Sequence, residues 1–402
     1  MKLLTFLGTG DYKDTTYQLG DKNYTSPYIQ EALASIMNSK PKLVVVFVTE
    51  QARKIHWSKL EKRFELQNID TLAVDIPSGK NEAELWELFD LTVQALDQGE
   101  WALDITHAFR FIPIFAYGAS IYAKAMQNIE LSSIFYGAFE ARDELGVTPV
   151  FDLSPLLDLN EWVHGAQSLM KTGNSEILAD LLIHSQRKAY KNKAGNKENL
   201  PTLLTSLGNA LSDVNDAFQC AQPSSYFQSI EEFSKRLPNA EKQLDTWAKP
   251  FVRILQRIEN QYRINSSNVL TAELQLIRTY TEKGMIIQGV QLLNEWLINY
   301  AVDSLGLGDH EAYKNHPTTR QSLIEFLSAH SQNKEVEAPK EITSQSLNSW
   351  QKTVPDFFKM ILELPKLRND LAHCGYRKGA TPPKKFKKQL KAMAERAERL
   401  PL

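Results

Sequence analysis

The chain has 402 residues, 43% of them hydrophobic, a formal net charge of −2 and two cysteines. That length buries sizeable cores and suggests two or three domains, while the near-neutral charge excludes the wide basic surface of a protein that coats nucleic acid and leaves room only for a local groove. Cys220 and Cys374 are too few for a disulfide framework or a structural zinc site, and the apolar stretch 111–123 is too short for a bilayer and broken by Pro113 and Gly118.

The first residues, Met1-Lys-Leu-Leu-Thr-Phe-Leu-Gly-Thr-Gly10, show no convincing cleavage site and read as a strand, so a cytoplasmic protein is expected. Strand-like runs follow at 43–48, 71–76, 101–105, 132–136 and 149–153, after a first one at 3–7. Helical patterns lie between them at 28–37, 54–67, 82–96 and 114–126. Such alternation predicts a parallel sheet with crossover helices, and the run Leu-Val-Val-Val-Phe-Val at 43–48 implies burial on both faces. The expected fold is a doubly wound, Rossmann-like α/β domain. From about Glu161 the periodicity becomes helical, at 163–188, 200–220, 225–236, 243–261 and 270–305, so the second half is expected to be all-α. Polar breaks at 191–199 and 331–340 read as loops. Expected domains are 1–155, a helical connector at 156–275, and a last helical domain at 276–402.

In an open α/β sheet, ligands bind beyond the carboxyl ends of the strands. The first strand ends in Gly8-Thr9-Gly10-Asp11-Tyr12, where two glycines admit a ligand to the backbone and Thr9 offers a hydroxyl. Asp14 stands where a dinucleotide fingerprint needs glycine or alanine, so a nicotinamide dinucleotide is disfavoured. The strand at 101–105 runs into Asp104-Ile105-Thr106-His107-Ala108-Phe109-Arg110. Thr106 is placed to cap the next helix, freeing amides for a phosphate or polar sugar edge, while His107 and Arg110 add donors and Phe109 packs beneath the loop or against a base. A capped helix with a core Phe and a surface Arg explains the same residues more simply.

Near the end of the chain stands Arg368-Asn369-Asp370-Leu371-Ala372-His373. RNA carries its own nucleophile, the 2′-hydroxyl, so cleavage needs only a proton shuttle and a charge for the crowded phosphate. His373 suits the first role. Arg368 suits the second through its planar fork, and Asn369 can fix an oxygen or orient the imidazole. With 15 Arg and 8 His, Arg-x4-His arises by chance roughly 0.3 times, so the pair alone is weak, and Asn369 makes the coincidence more than tenfold rarer. Five residues span about 140° of helix, so one copy points Arg368 and His373 to different flanks, which a site shared across a two-fold axis would solve. A surface helix end is the simpler alternative. Pro365 is expected just ahead of this helix. Cys374 neighbours His373 but does not face it on a helix, so it reads as a bystander. Lys378, Lys384, Lys385, Lys387, Lys388 and Lys391 follow as either an RNA-contacting cluster or a solvated face.

Arg368, Asn369 and His373 match, position for position, the motif of the HEPN ribonucleases, which this end of the chain resembles. Asp104 to His107 resembles the Asp-x-Thr-His motif of CRISPR-associated proteins that join a CARF sensor domain to a HEPN domain; Gly8 to Gly10 and Ser133-Ile-Phe-Tyr-Gly-Ala138 fit the same pattern. The resemblance implies a homodimer or larger assembly without a membrane anchor. Its activator would be a cyclic oligoadenylate, the tetramer favoured over the hexamer, held by Gly8, Thr9, Gly10, Asp104, the 106–110 loop, Tyr136 and Gly137. Its product would be single-stranded RNA cut without a metal or other cofactor, leaving a 2′,3′-cyclic phosphate and a 5′-hydroxyl. Glu295 is a loose counterpart of an acidic residue carried by an earlier HEPN helix. Some relatives of this kind degrade their own messenger, which His107 or Arg110 would assist. Competing readings are a sensor or ring nuclease without ribonuclease activity, acting as a regulatory module, and an α/β enzyme acting on another nucleotide.

Overall fold

The computed structural model describes residues 1–107, 111–191, 200–262, 266, 268–307, 317–334, 342 and 344–402. Two compact units divide at 160/161, Met1–Asn160 and Glu161–Leu402.

The first unit is built on one eight-stranded sheet: β1 (Lys2–Leu7), β2 (Thr15–Leu19), β3 (Lys22–Ser26), β4 (Leu43–Val48), β5 (Asp70–Asp75), β6 (Gly99–Asp104), β7 (Ile129–Gly137) and β8 (Val147–Asp152), in the order β3-β2-β8-β7-β6-β1-β4-β5. Because strand side chains alternate between faces, Leu3 and Leu7 join Val44, Val46 and Val48 in one core, while Leu4 and Phe6 join Val45 and Phe47 in another. Helices Ile29–Ile36 and Ser58–Leu66 cover the first face; Glu82–Ala95 and Phe111–Gln127 cover the second. This is the doubly wound layering the apolar strands predict.

The sheet is mixed, however, where an all-parallel one is expected. β7 and β8 run antiparallel, because only residues 138–146 join them, too few for the helical crossover that parallel neighbours require. The β2–β3 hairpin is absent from the sequence-based expectation. Its strands are short and polar, and Gly20-Asp21 turns between them with Gly20 at φ 60°.

The second unit is helical. The expected helices 163–188 and 270–305 are each divided by a glycine in the left-handed region, Gly173 at φ 77° and Gly284 at φ 73°. After Gly284 the Met285 N–H returns to the Tyr280 carbonyl at 2.8 Å, closing the helix end. Prolines act in the opposite sense. Helix Pro223–Trp247 runs through Pro238, past the stop expected at 236. Pro365 likewise lies inside helix Pro355–Ala372, not ahead of it; Pro355 takes the first-turn position instead. A proline inside a helix costs about 3 kcal/mol, but the neighbouring buried Ile361, Leu364 and Leu367 each contribute about 1.5–3 kcal/mol, which holds the helix together. One apolar core runs through this unit from Trp162 to Leu400. Among the described residues no helix is long and apolar enough to cross a membrane. Of the expected loop at 191–199, Lys191 closes helix Glu176–Lys191 and the rest lies outside the described residues, as does most of that at 331–340.

Candidate functional site

The chain leaves β5 at one edge and re-enters the sheet at β6, on the other side of β1, so the winding reverses between β1 and β6. A crevice opens beyond the carboxyl ends of strands at such a point. A cavity of about 660 Å³ occupies it, lined by Gly8, Thr9 and Gly10 after β1, Thr106 and His107 after β6, and Gly137 at the end of β7. Residues separated by some 130 positions in sequence thus share one pocket, of a size ordinary for small-ligand sites.

The loop after β6 is held from beneath. Asp104 is fully buried, and its carboxylate accepts from the Thr5 hydroxyl (2.5 Å), the Thr106 hydroxyl (2.5 Å) and the Thr106 N–H (3.0 Å). Burial raises its pKa above the ordinary carboxylate value, against the opposing pull of the hydrogen bonds from Thr106 and Thr5. The Thr106 oxygen in turn accepts from the Gly137 N–H at 2.8 Å. Asp104 therefore binds the loop and does not line the cavity. A Cβ on Gly137 would lie 2.9 Å from Ile29 Cδ1, so a larger residue there requires the Ile29 side chain to shift.

The loop after β1 is fixed by aromatic residues that motif reasoning passes over. The Gly8 N–H donates to the Tyr12 hydroxyl at 2.8 Å. His56 Nε2 lies 2.9 Å from the Gly10 carbonyl, and a carbonyl only accepts, so Nε2 carries the proton and Nδ1 is left to accept from the Tyr28 hydroxyl at 3.3 Å. The Tyr12 ring sits between His56 (4.6 Å) and His107 (4.8 Å). Burial, with the nearby His56, pushes His107 down to about 4, so it is neutral near pH 7. Its buried Nε2 has no hydrogen-bond partner among the described residues. Lys13 and Arg142 also line the cavity and bring two cations to its rim; neither stands in a motif that a single sequence reveals.

Ala108, Phe109 and Arg110 lie outside the described residues. Tyr136 is half-buried with its hydroxyl 2.5 Å from Glu140 Oε1, and it is not among the residues lining the cavity.

In the second unit, helix Pro355–Ala372 buries Phe357, Ile361, Leu364, Leu367 and Asp370 on one face and ends at His373, whose N–H reaches the Asn369 carbonyl at 3.0 Å. Arg368 and His373 are both exposed, and Asn369 is half-buried. The two exposed groups stand five positions apart around the helix end, and no bond joins their side chains among the described contacts. Asp370, the motif residue whose role the sequence left open, is buried and accepts from Thr381 N–H (2.9 Å) and Oγ1 (2.8 Å), which hold its carboxyl below the usual range. Glu295 pairs with Arg320 at 2.7 Å, and Arg320 also reaches Asn299 at 3.0 Å; none of these bonds involves the motif. Cys374 is exposed, with φ 51°. The lysines at 384, 385, 387, 388 and 391 are exposed on helix Pro383–Ala397, a basic face that fits an RNA contact as well as a solvated surface.

An α/β unit with a crevice at its winding reversal, followed by a helical unit, is the class these features define. Residues 2–140 match the family model of the CRISPR system endoribonuclease Csx1, CARF domain, which covers nearly the whole first unit. Residues 158–267 match that of the CRISPR-associated protein MJ1674, second domain. The chain is also 37% identical over 117 residues to the CRISPR-associated protein MJ1674 of Methanocaldococcus jannaschii, an alignment covering 28% of this chain and 18% of that protein. The chain thus spans less than a fifth of the length of that curated relative. None of these stretches assigned to family models reaches the helix carrying Arg368.

Proposed function

We propose that this protein is an ancillary ribonuclease of type III CRISPR defence: a cyclic oligoadenylate, the tetramer in first place, binds the first unit and switches on metal-independent cutting of single-stranded RNA by the second. One observation carries the reading. The glycine loop, Thr106, His107 and Gly137 converge on one crevice, in a domain that matches the Csx1 CARF model.

The chemistry of the crevice suits such a messenger. The N–H groups of Thr9 and Gly10 and the cations Lys13 and Arg142 provide for phosphates, and neutral His107, with its unpartnered nitrogen, provides for an adenine edge or ribose hydroxyl. A two-fold ring matches a two-fold pair of crevices, so the active species is a homodimer or a larger assembly of such pairs. Helix Phe111–Gln127, which follows the Thr106 loop, exposes Ile114 (70%), Tyr122 and Met126 (66%), an apolar stripe suited to a second copy. The domains are then a sensor at 1–155, a connector at 156–275 and a HEPN-like domain at 276–402. A ring bound more tightly by the active dimer than by the resting one shifts the population toward the active form, which pairs two RNDLAH helices.

At the paired site His373 moves the proton of the 2′-hydroxyl or of the leaving 5′-oxygen. Arg368 stabilises the charge on the crowded phosphate, and Asn369 orients the imidazole. The 2′-oxygen attacks phosphorus, the bond to the 5′-oxygen breaks, and the products are a 2′,3′-cyclic phosphate and a 5′-hydroxyl. Asp370 takes no proton; it anchors the turn behind the motif.

The test is cleavage of labelled single-stranded RNA in EDTA, comparing cyclic tetra-adenylate, cyclic hexa-adenylate and no activator. Cutting that needs a ring supports the reading. Ring binding with no cutting would move the protein to a sensor or ring nuclease acting as a regulatory module.

A further inference from the structure

Tyr376 is 95% exposed, the most exposed of the large apolar or aromatic side chains among the described residues. A lone exposed ring on a flexible loop would mean little. This one stands on a turn pinned at several points. The Gly375 N–H donates to the Asp370 carbonyl (2.9 Å), the Tyr376 N–H to the His373 carbonyl (3.0 Å) and the Ala380 N–H to the Arg377 carbonyl (3.1 Å). The buried Asp370 carboxylate clamps Thr381 through two bonds, closing the turn onto the motif helix. Cys374 at φ 51° and Gly375 at φ 76° turn the chain sharply just after His373. The turn thus presents an unburied aromatic face three residues from His373, with the exposed cations Arg377 and Lys378 directly after it.

An aromatic ring mounted beside cations is the arrangement by which single-stranded nucleic acids are held, bases stacking on the ring while the cations take the phosphates. We propose that Tyr376 is a specificity-determining residue that stacks on one unpaired base next to the scissile phosphate, with Arg377 and Lys378 holding the adjoining backbone. The inference rests on the ribonuclease reading and adds to it a base contact at a defined place on the RNA. Pairing is excluded for that base, so a duplex would lose the contact.

The experiment uses the full chain with saturating cyclic tetra-adenylate and a set of RNAs carrying a single abasic nucleotide at successive positions around one cut. Tyr376→Ala should raise KM about tenfold on intact RNA with a much smaller change in kcat, and Tyr376→Phe should restore it. For one abasic position, and one only, Tyr376→Ala should cause no further loss, since the base it would stack on is already gone. Wild-type protein that cuts normally while Tyr376→Ala matches it in KM overturns the stacking proposal and leaves the nuclease reading intact. An equal loss on every abasic RNA, or a loss of dimer by sedimentation, overturns it as well by giving Tyr376 a different role. Wild-type protein that cuts no RNA overturns both readings.

Discussion

Thr106 and Asp104 are joined by two hydrogen bonds, from the Thr106 hydroxyl (2.5 Å) and N–H (3.0 Å) to one oxygen of the buried carboxylate. The same hydroxyl accepts from Gly137, so a single side chain links β6 to β7 at the mouth of the crevice. Thr106→Val keeps the shape and removes both hydroxyl bonds, leaving a carboxylate oxygen and an N–H under-satisfied. It should destabilise the first unit by about 1–3 kcal/mol and weaken cyclic tetra-adenylate binding about tenfold, with Thr106→Ser recovering most of both. Denaturant melts and calorimetric titration measure the two effects.

His107 gives the first unit a pH dependence of predictable sign. Its ordinary value is 6.5 and burial lowers it to about 4 in the fold. Between those values the unfolded chain binds the proton more readily, so stability falls as pH drops from about 6.5 toward 4, then levels off. The effect is at most about 3 kcal/mol. Thermal melts from pH 7 to 4.5 should show a decline that is shallower in His107→Gln.

Arg368→Ala and His373→Ala should each lower kcat for RNA cleavage by about 10²- to 10⁴-fold while leaving ring affinity unchanged, since neither residue lies in the first unit, which carries the crevice. Single-turnover cleavage alongside activator titration separates the two. Glu295→Gln should have a far smaller effect on cleavage, because that carboxylate is engaged with Arg320.

The basic face of helix Pro383–Ala397 makes a salt-dependence prediction. If Lys384 and Lys388 each neutralise an RNA phosphate, replacing both with alanine should reduce the slope of log affinity against log salt by about 1.4. Binding of RNA to the inactive His373→Ala protein across a salt series measures the slope.

Much of the first unit was legible because its apolar strands, such as the run at 43–48, are buried on both faces and leave few alternatives. The crevice was legible through glycines and the Asp104–His107 stretch. What was not legible was the division of labour within it. Asp104 reads as a ligand contact in sequence but spends its oxygens on Thr5 and Thr106, and His56, which fixes Gly10, looks like any polar residue on an amphipathic helix. The prolines misled for a similar reason. Pro365 is a poor helix residue taken alone, yet the buried leucines on either side decide the outcome, and burial is a property of the folded unit.

The most direct test of the whole account is a titration of cyclic tetra-adenylate against wild-type and His373→Ala protein in EDTA, following ring binding and RNA cleavage together. The account predicts saturation at one ring per two chains for both proteins, with cleavage rising in step for the wild type and absent in His373→Ala. Cleavage that ignores the ring, or that persists in His373→Ala, would contradict it.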